Sequence, residues 1–176
     1  FVGKGGLPRP CFVFIFVGRL VKDKGINELI TAFLKLQSNT KKVKLLLVED
    51  FENDLDTLNA DTLKAIQECN NIVTVGFQPD VRPYFAISDA LVFPSYREGF
   101  PNVVLQAGAM GLPCIVTNIN GCNEIIIEVH NGTIIPVKDE EAIFDAMMKL
   151  SSDKDYYSVL ERNAREMITS RYEQQV

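Results

Sequence analysis

Histidine is almost absent from this sequence and cysteine is sparse: 176 residues contain one histidine and four cysteines. His130 lies in a polar Val-His-Asn-Gly stretch that is typical of a surface turn, so we predict no zinc site. The cysteines, at positions 11, 69, 114 and 122, have neither Cys-x-x-Cys spacing nor the density of a disulfide framework. This usage favours a reducing, cytoplasmic setting.

A surplus of basic residues and a long apolar run are also missing. With 18 lysine and arginine residues against 23 acidic ones, the formal net charge is −5. That balance argues against a general nucleic-acid binder, because neutralising phosphates needs a basic surplus. The longest apolar run, Cys11–Val17, has seven residues, whereas a membrane-spanning helix needs about 20. We therefore predict no nucleic-acid partner and no transmembrane segment.

The length allows one domain that buries about two-thirds of its unfolded surface. The sequence begins at Phe1 and shows no charged-then-apolar leader. We therefore expect an excised segment of a longer protein.

Short apolar runs rich in β-branched residues alternate with longer helix-like segments. This rhythm is typical of βα units, and it predicts an α/β fold: a doubly wound, Rossmann-like, mainly six-stranded parallel sheet with helices on both faces. The predicted strands span residues 12–17, 43–48, 72–75, 90–93, 113–116 and 133–135. The predicted helices span 26–36, 62–69, 81–87, 103–110 and 140–150, with a last polar helix from Ser152 or Asp153 toward Arg171.

The helix predictions include one packing face and two N-caps. In the first helix an apolar stripe at helical spacing is predicted to pack on the sheet: Ile26, Leu29, Ile30, Phe33 and Leu34. Asn102 and Asp139 are the predicted N-caps of the helices that follow them.

The turn after the first strand, residues 18–25, combines two glycines with Arg19 and Lys24. Ligands of doubly wound sheets bind beyond the carboxyl ends of the strands, so this turn is placed to hold an anion. A guanidinium can fork onto two phosphate oxygens, and an ammonium acts as a point charge. A solvated loop that merely carries charge is the alternative. The P-loop motif is missing, and Gly3-Lys4-Gly5-Gly6 follows no strand, which disfavours a P-loop enzyme or a dehydrogenase.

The loop after the fourth strand, residues 94–102, runs directly into a predicted helix. Glu98 stands beside a row of backbone N–H groups that suit a diphosphate, while its carboxylate suits a sugar hydroxyl; a plain helix cap is the alternative. Gln106 follows eight residues after Glu98, inside the helix. Its amide could pair with a hydroxyl, or it could be an ordinary surface residue.

Five motifs in this order resemble the donor-binding half of family 4, or group 1, glycosyltransferases, which have the GT-B fold. The motifs are Gly18-Arg19-Leu20-x-x-x-Lys24-Gly25; Ser88-Asp89-Ala90 leading to Phe93-Pro94-Ser95; Arg97-Glu98-Gly99-Phe100-Pro101; Ala107-x-Ala109-Met110-Gly111-Leu112-Pro113; and Asn131-Gly132. The resemblance implies two Rossmann-like domains that face each other across a cleft, an N-terminal one for the acceptor and a C-terminal one for the nucleotide-sugar. Residues 1–11 are then expected to be a linker from a missing N-terminal domain, and residues 12–176 the nucleotide-sugar-binding domain.

The resemblance also assigns roles to particular residues. It places Arg19 and Lys24 on the donor diphosphate and makes Glu98 the first acid of a Glu-x7-Glu motif, at the sugar; these three are the expected catalytic residues. The expected substrate-binding residues are Gly18 in the first turn, Phe77 and Gln78 at the base, the N–H groups of Gly99, Phe100, Asn102 and Val103 in the phosphate cradle with Pro101 among them in the same loop, and Gln106 at the ribose.

Two positions depart from the family pattern. Gln106 occupies the place of the second Glu, which typically grips the ribose hydroxyls, so only an amide oxygen is available there. Glu49 and Asp50 follow the second strand, where a glycine is common. Two acids near a diphosphate are unfavourable unless they point away or meet the ribose or a cation.

The activity that the resemblance implies is transfer of a hexosyl group from a nucleoside diphosphate sugar to a glycan or lipid-linked acceptor, in surface polysaccharide synthesis of the bacterial type. Transfer of this kind needs no metal and no cofactor, and usually retains anomeric configuration. The isolated domain is expected to be inactive. The full-length protein is expected in the cytoplasm, with a peripheral position at the inner membrane face as one option. A GT-B sugar epimerase and a nucleotide-binding module without chemistry are the alternatives.

Overall fold

In the part of the chain that the structure describes, the sheet consists of six strands, and seven α-helices lie between and after them. A computed structural model describes residues 9–51 and 56–172. Its strands are β1 (Phe12–Val17), β2 (Val43–Val48), β3 (Ile72–Thr74), β4 (Ala90–Phe93), β5 (Cys114–Thr117) and β6 (Gly132–Ile135). Its helices are α1 (Ile26–Asn39), α2 (Ala60–Glu68), α3 (Arg82–Ile87), α4 (Asn102–Ala109), α5 (Cys122–Ile125), α6 (Glu140–Ser152) and α7 (Lys154–Tyr172).

All five strand pairings are parallel, and the strand order is β3-β2-β1-β4-β5-β6. This is the order of a dinucleotide-binding Rossmann sheet, so the predicted fold class is confirmed. β2, β4 and β5 are buried along nearly their whole length, as is typical of strands covered by helices on both faces. The core therefore lies on both sides of the sheet.

Several predicted boundaries and one N-cap are wrong. β5 begins at Cys114 because Pro113 has no N–H to donate to the ladder; its carbonyl instead accepts from Leu91. The N-cap of α4 is Pro101, and Asn102 is already the first helical residue. The Asp139 cap is confirmed, since its carboxylate accepts a 2.9 Å hydrogen bond from the Ala142 N–H.

The apolar stripe of α1 is correct except at its last member. Ile26, Leu29, Ile30 and Phe33 are buried, whereas Leu34 is 39% exposed. At the helical period Leu34 points about 90° away from the centre of the four buried residues, at the edge of the stripe rather than in it. Leu36, which the predicted stripe did not include, lies at the opposite edge of the stripe from Leu34 and is fully buried.

The strand order places the first and fourth loops side by side. β1 and β4 are neighbours, with β2 and β3 on one side and β5 and β6 on the other. The chain reverses its direction of winding between β1 and β4, and such a switch point opens a crevice at the carboxyl ends of the strands. The two loops singled out in the sequence flank this crevice. None of the helices that the structure describes is long and apolar enough to cross a membrane.

Candidate functional site

A cleft of about 290 Å³ lies at the switch point. Its walls are formed by Val17, Gly18, Arg19, Lys24, Glu49, Phe93, Glu98, Phe100, Pro101, Asn102 and Val103. An adjoining cleft of about 450 Å³ shares Arg19, Lys24 and Glu98 with it and adds Asp23, Arg97 and Gly99. The structure thus brings together nine of the predicted site residues: Gly18, Arg19, Lys24, Glu98, Gly99, Phe100, Pro101, Asn102 and Val103.

Gly25 shapes the turn that carries Lys24. A short 3-10 helix, Lys22–Lys24, ends at Gly25, whose backbone is left-handed with φ 72° and whose N–H donates to the Lys22 carbonyl. The same residue is the N-cap of α1 and passes close to the Pro94 carbonyl of the neighbouring loop. The left-handed turn and the close approach both favour glycine, and together they direct Lys24 back toward Glu98.

Lys24 and Glu98 form an ion pair inside the cleft. Their side chains are 17% and 15% exposed, so the pair is partly shielded from water. The Ser95 hydroxyl donates a 2.9 Å hydrogen bond to the same carboxylate, and Ser95 is itself fully buried. The Glu98 carboxylate is therefore held in one orientation by two donors, 3 and 74 residues away along the chain.

A second set of contacts ties the two loops together behind this pair. The Tyr96 N–H donates to the Asp23 carbonyl at 2.8 Å. The Arg97 guanidinium lies 2.7 Å from the Asp23 carboxylate, but Arg97 is 84% exposed, so this ion pair contributes little stability. The Tyr96 hydroxyl donates to Glu28 on α1, and burial together with that carboxylate raises the pKa of Tyr96 well above its ordinary value.

The N-terminus of α4 presents open backbone donors to the cleft. Pro101, the N-cap, has no side-chain hydrogen bond. Within the described part of the chain, the N–H groups of Gly99, Phe100 and Val103 make no hydrogen bond, whereas the Asn102 N–H donates to the Phe100 carbonyl at 3.0 Å. Three of the four predicted cradle donors therefore have no hydrogen-bond partner among the described residues, and the fourth is already engaged.

Three predicted site residues lie outside the walls of both clefts. Gln106 is exposed on α4. Phe77 is 63% exposed after β3, and the Gln78 side chain donates to the Val75 carbonyl at 2.8 Å. Their assignment to the ribose and the base remains a prediction.

Sequence reasoning gave no role to Ser95, Thr117 or Cys122, which support the cleft from behind. The Thr117 hydroxyl donates to the Ser95 carbonyl, which fixes the residue that orients Glu98. Burial, with a smaller effect from Glu98, raises the pKa of Cys122 to about 12, so this thiol stays protonated at neutral pH. Ser95 has a signal in the sequence as the end of the Phe93-Pro94-Ser95 motif, and Thr117 and Cys122 bound a polar, glycine-containing loop after a predicted strand.

Among the described residues, metal-ligating side chains do not gather around the cleft. Across residues 9–51 and 56–172, no group of three His, Cys, Asp or Glu side chains is placed to hold a metal ion. The charged groups described at the cleft are instead Arg19, Lys24 and Arg97 with their acidic neighbours.

Comparison with known proteins identifies relatives of the same fold and family. The chain is 33% identical over 165 residues to a capsular polysaccharide biosynthesis glycosyltransferase, CapM, of Staphylococcus aureus, covering 94% of this chain and 43% of that protein. It is 31% identical over 169 residues to UDP-Gal:alpha-D-GlcNAc-diphosphoundecaprenol alpha-1,3-galactosyltransferase of Escherichia coli, with the same coverage, 94% and 43%. The chain therefore spans less than half the length of these relatives.

A solved structure has the same fold as this chain. The C-terminal domain of a glycosyl transferase group 1 family protein, LpcC, from Francisella tularensis superposes with a TM-score of 0.83 at 24% identity, covering 92% of this chain and 86% of that one. Residues 3–167 match the family described as glycosyl transferases group 1. Because this match extends over most of the chain, the chain belongs to the group 1 glycosyl transferases.

Proposed function

We propose that this chain is the donor-binding half of a glycosyltransferase and holds a nucleoside diphosphate sugar in the cleft between β1 and β4. The observation that carries the proposal is the meeting of Arg19, Lys24 and three open N–H groups in one place. Two cations and a helix N-terminus together suit a ligand with two phosphates.

In the proposed reaction, a hexosyl group passes to a glycan or lipid-linked acceptor. The bond between the anomeric carbon and the distal phosphate oxygen breaks, so negative charge builds on the leaving diphosphate. An acceptor hydroxyl oxygen bonds to the anomeric carbon, and its proton passes to the leaving diphosphate. Arg19 and Lys24 stabilise this charge, and the fixed N–H dipoles before α4 add to the effect. Glu98, held by Ser95, accepts a hydrogen bond from a sugar hydroxyl. Transfer then needs no metal ion and no base from this half, and proceeds with retention of configuration.

The rest of the active site is proposed to come from an N-terminal Rossmann-like domain, with residues 1–11 as a linker and residues 12–176 as the nucleotide-sugar-binding domain. The length of the relatives supports this division, because the chain covers 43% of each. Their names, which specify capsular polysaccharide and a diphosphoundecaprenol-linked sugar, support surface polysaccharide synthesis. We propose a cytoplasmic location, at the inner face of the membrane, for the full-length protein.

A nucleotide-binding module without chemistry is the second candidate. It is favoured by Gln106, which replaces an acid of the motif and lies outside both clefts. A sugar epimerase needs acids and histidines from two domains, and the single histidine here, His130, is exposed and belongs to neither cleft.

The chain is expected to bind one of UDP, GDP or ADP weakly and saturably, and to release no nucleotide from the matching nucleotide-sugar. Its cleft supplies the diphosphate contacts, whereas the acceptor wall belongs to the other domain. Ligand-observed NMR measures binding, and coupled detection of released nucleotide measures turnover against a heat-killed control. Failure of all three nucleotides to bind would remove the donor role, and turnover by the chain alone would refute the two-domain division.

A longer protein that contains this chain and its N-terminal domain distinguishes the three functions. With a panel of nucleotide-sugars, a transferase releases free nucleoside diphosphate and lengthens an acceptor. An epimerase interconverts the nucleotide-sugars, and a binding module does neither.

A further inference from the structure

Glu49 is an acid in the wall of a cleft proposed to hold an anion. It follows the last residue of β2 directly and is half-buried, and its carboxylate makes no hydrogen bond or ion pair with another described residue. The Asp50 side chain next to it does not line the cleft. An unpaired carboxylate in this position would repel a diphosphate lying against it, so its presence calls for a ligand group that donates hydrogen bonds.

The backbone at Glu49 is strained and firmly tethered. Its φ is 126°, a region that residues other than glycine rarely occupy. The Glu49 N–H donates to the Gly76 carbonyl at 3.0 Å, which joins the loop after β2 to the loop after β3. Backbone strain of this kind concentrates at ligand sites. The strain thus favours a ligand-contact role for this side chain.

The strand order gives the direction in which a nucleotide would lie. Arg19, Lys24 and the N-terminus of α4 are at the ends of β1 and β4, Glu49 is at the end of β2, and Phe77 follows β3. Neighbouring strands are about 4.8 Å apart, so the loop after β2 lies about 10 Å from the loop after β4. A diphosphate, a ribose and a base follow one another in the same order. The ribose would therefore lie over Glu49.

We propose that Glu49 accepts hydrogen bonds from the ribose hydroxyls of the bound nucleotide and is the specificity-determining residue for a ribonucleotide. The inference rests on the proposed function, since it requires a nucleoside diphosphate in the cleft. In dinucleotide-binding sheets of this strand order, an acidic residue about 20 positions after the glycine-rich turn has the same task. Here it would replace position 106, which carries an exposed amide outside the cleft walls.

The test compares the chain with its Glu49→Gln and Glu49→Gly variants by calorimetry. The probes are UDP, GDP and ADP, the 2′,3′-dideoxy form of whichever binds, and inorganic pyrophosphate. Asp50→Asn, which removes the same charge one residue away, is the control. Glycine suits the observed φ and glutamine keeps the shape of the side chain, so both variants are expected to fold, and thermal denaturation checks this.

The native chain is expected to prefer the ribonucleotide over its dideoxy form, and both Glu49 variants to lose about tenfold in affinity for the ribonucleotide. Because the carboxylate acts through the hydroxyls, the dideoxy form and pyrophosphate are expected to bind the variants at least as tightly as the native chain. Asp50→Asn should keep the preference.

Tighter binding of the ribonucleotide to both Glu49 variants would overturn the inference, because it would mean that the Glu49 carboxylate only repels the diphosphate. If the Glu49 variants keep the preference for the ribonucleotide over its dideoxy form and Gln106→Ala loses it, Gln106 rather than Glu49 binds the ribose. If the native chain binds pyrophosphate but none of the three nucleotides, the proposed function fails along with the inference. If nucleotides bind without any preference for the ribose hydroxyls, only the inference fails.

Discussion

Gly25→Ala is expected to destabilise the chain by about 2–5 kcal/mol. The residue adopts φ 72°, and a side chain in this left-handed region costs about 1–2 kcal/mol. A Cβ there would also lie 2.9 Å from the carbonyl carbon of Pro94 and closer still to its oxygen. The obstacle is backbone rather than a movable side chain, so overpacking adds about 1–3 kcal/mol. Chemical denaturation followed by circular dichroism measures the loss.

Gly99→Ala is the matched control for this substitution. Gly99 is exposed in the same cleft region, its φ is not positive, and an added Cβ would meet nothing within 4 Å. Its effect on stability should stay within about 0.5 kcal/mol. Equal losses for the two variants would mean that the approach of Gly25 to Pro94 does not hold the two loops together.

The fold could be predicted because each strand carries its own local signal. The predicted bounds of β1, β2 and β4 are the observed ones, since the three runs are apolar apart from Lys44 and are followed by the polar or turn-forming residues Gly18, Glu49 and Pro94. The errors arise at strand and helix ends, where hydrogen bonds determine which residue is the first or last of an element. Thr117 belongs to β5 by its pairing with Ile135 of β6, a partner that no pattern within residues 113–117 reveals.

The location of the site could be predicted as well, but its internal contacts could not. The carboxyl ends of parallel strands meet at one edge of a sheet, which is why the Arg19 and Glu98 loops were expected to converge. Nothing in the sequence indicates that Lys24 pairs with Glu98, or that the Asn102 N–H is already bonded. The first contact joins residues 74 positions apart in the chain, and the second depends on the local backbone conformation between Phe100 and Asn102, which the residue types do not specify.

Arg19→Ala and Lys24→Ala are each expected to weaken nucleoside diphosphate binding about tenfold to 100-fold with the fold intact. A charge-assisted hydrogen bond to phosphate contributes about 1.5–3 kcal/mol, which corresponds to that range. Calorimetry with the nucleotide that the chain prefers, and with pyrophosphate, measures the loss. Lys22→Ala is the control, since Lys22 is exposed in the same turn and lines neither cleft.

Lys24→Ala should have the larger effect of the two because it removes one positive charge and leaves the negative charge of Glu98 without its partner. Lys24 neutralises Glu98 in the cleft, so its removal both deletes a phosphate contact and leaves a carboxylate facing the diphosphate. A second substitution, Glu98→Gln, should therefore restore part of the affinity that Lys24→Ala loses, while Arg19→Ala should gain less from it. If Glu98→Gln helps both variants equally, the ion pair does not govern the charge of the cleft. If neither Arg19→Ala nor Lys24→Ala changes the affinity, the diphosphate lies elsewhere.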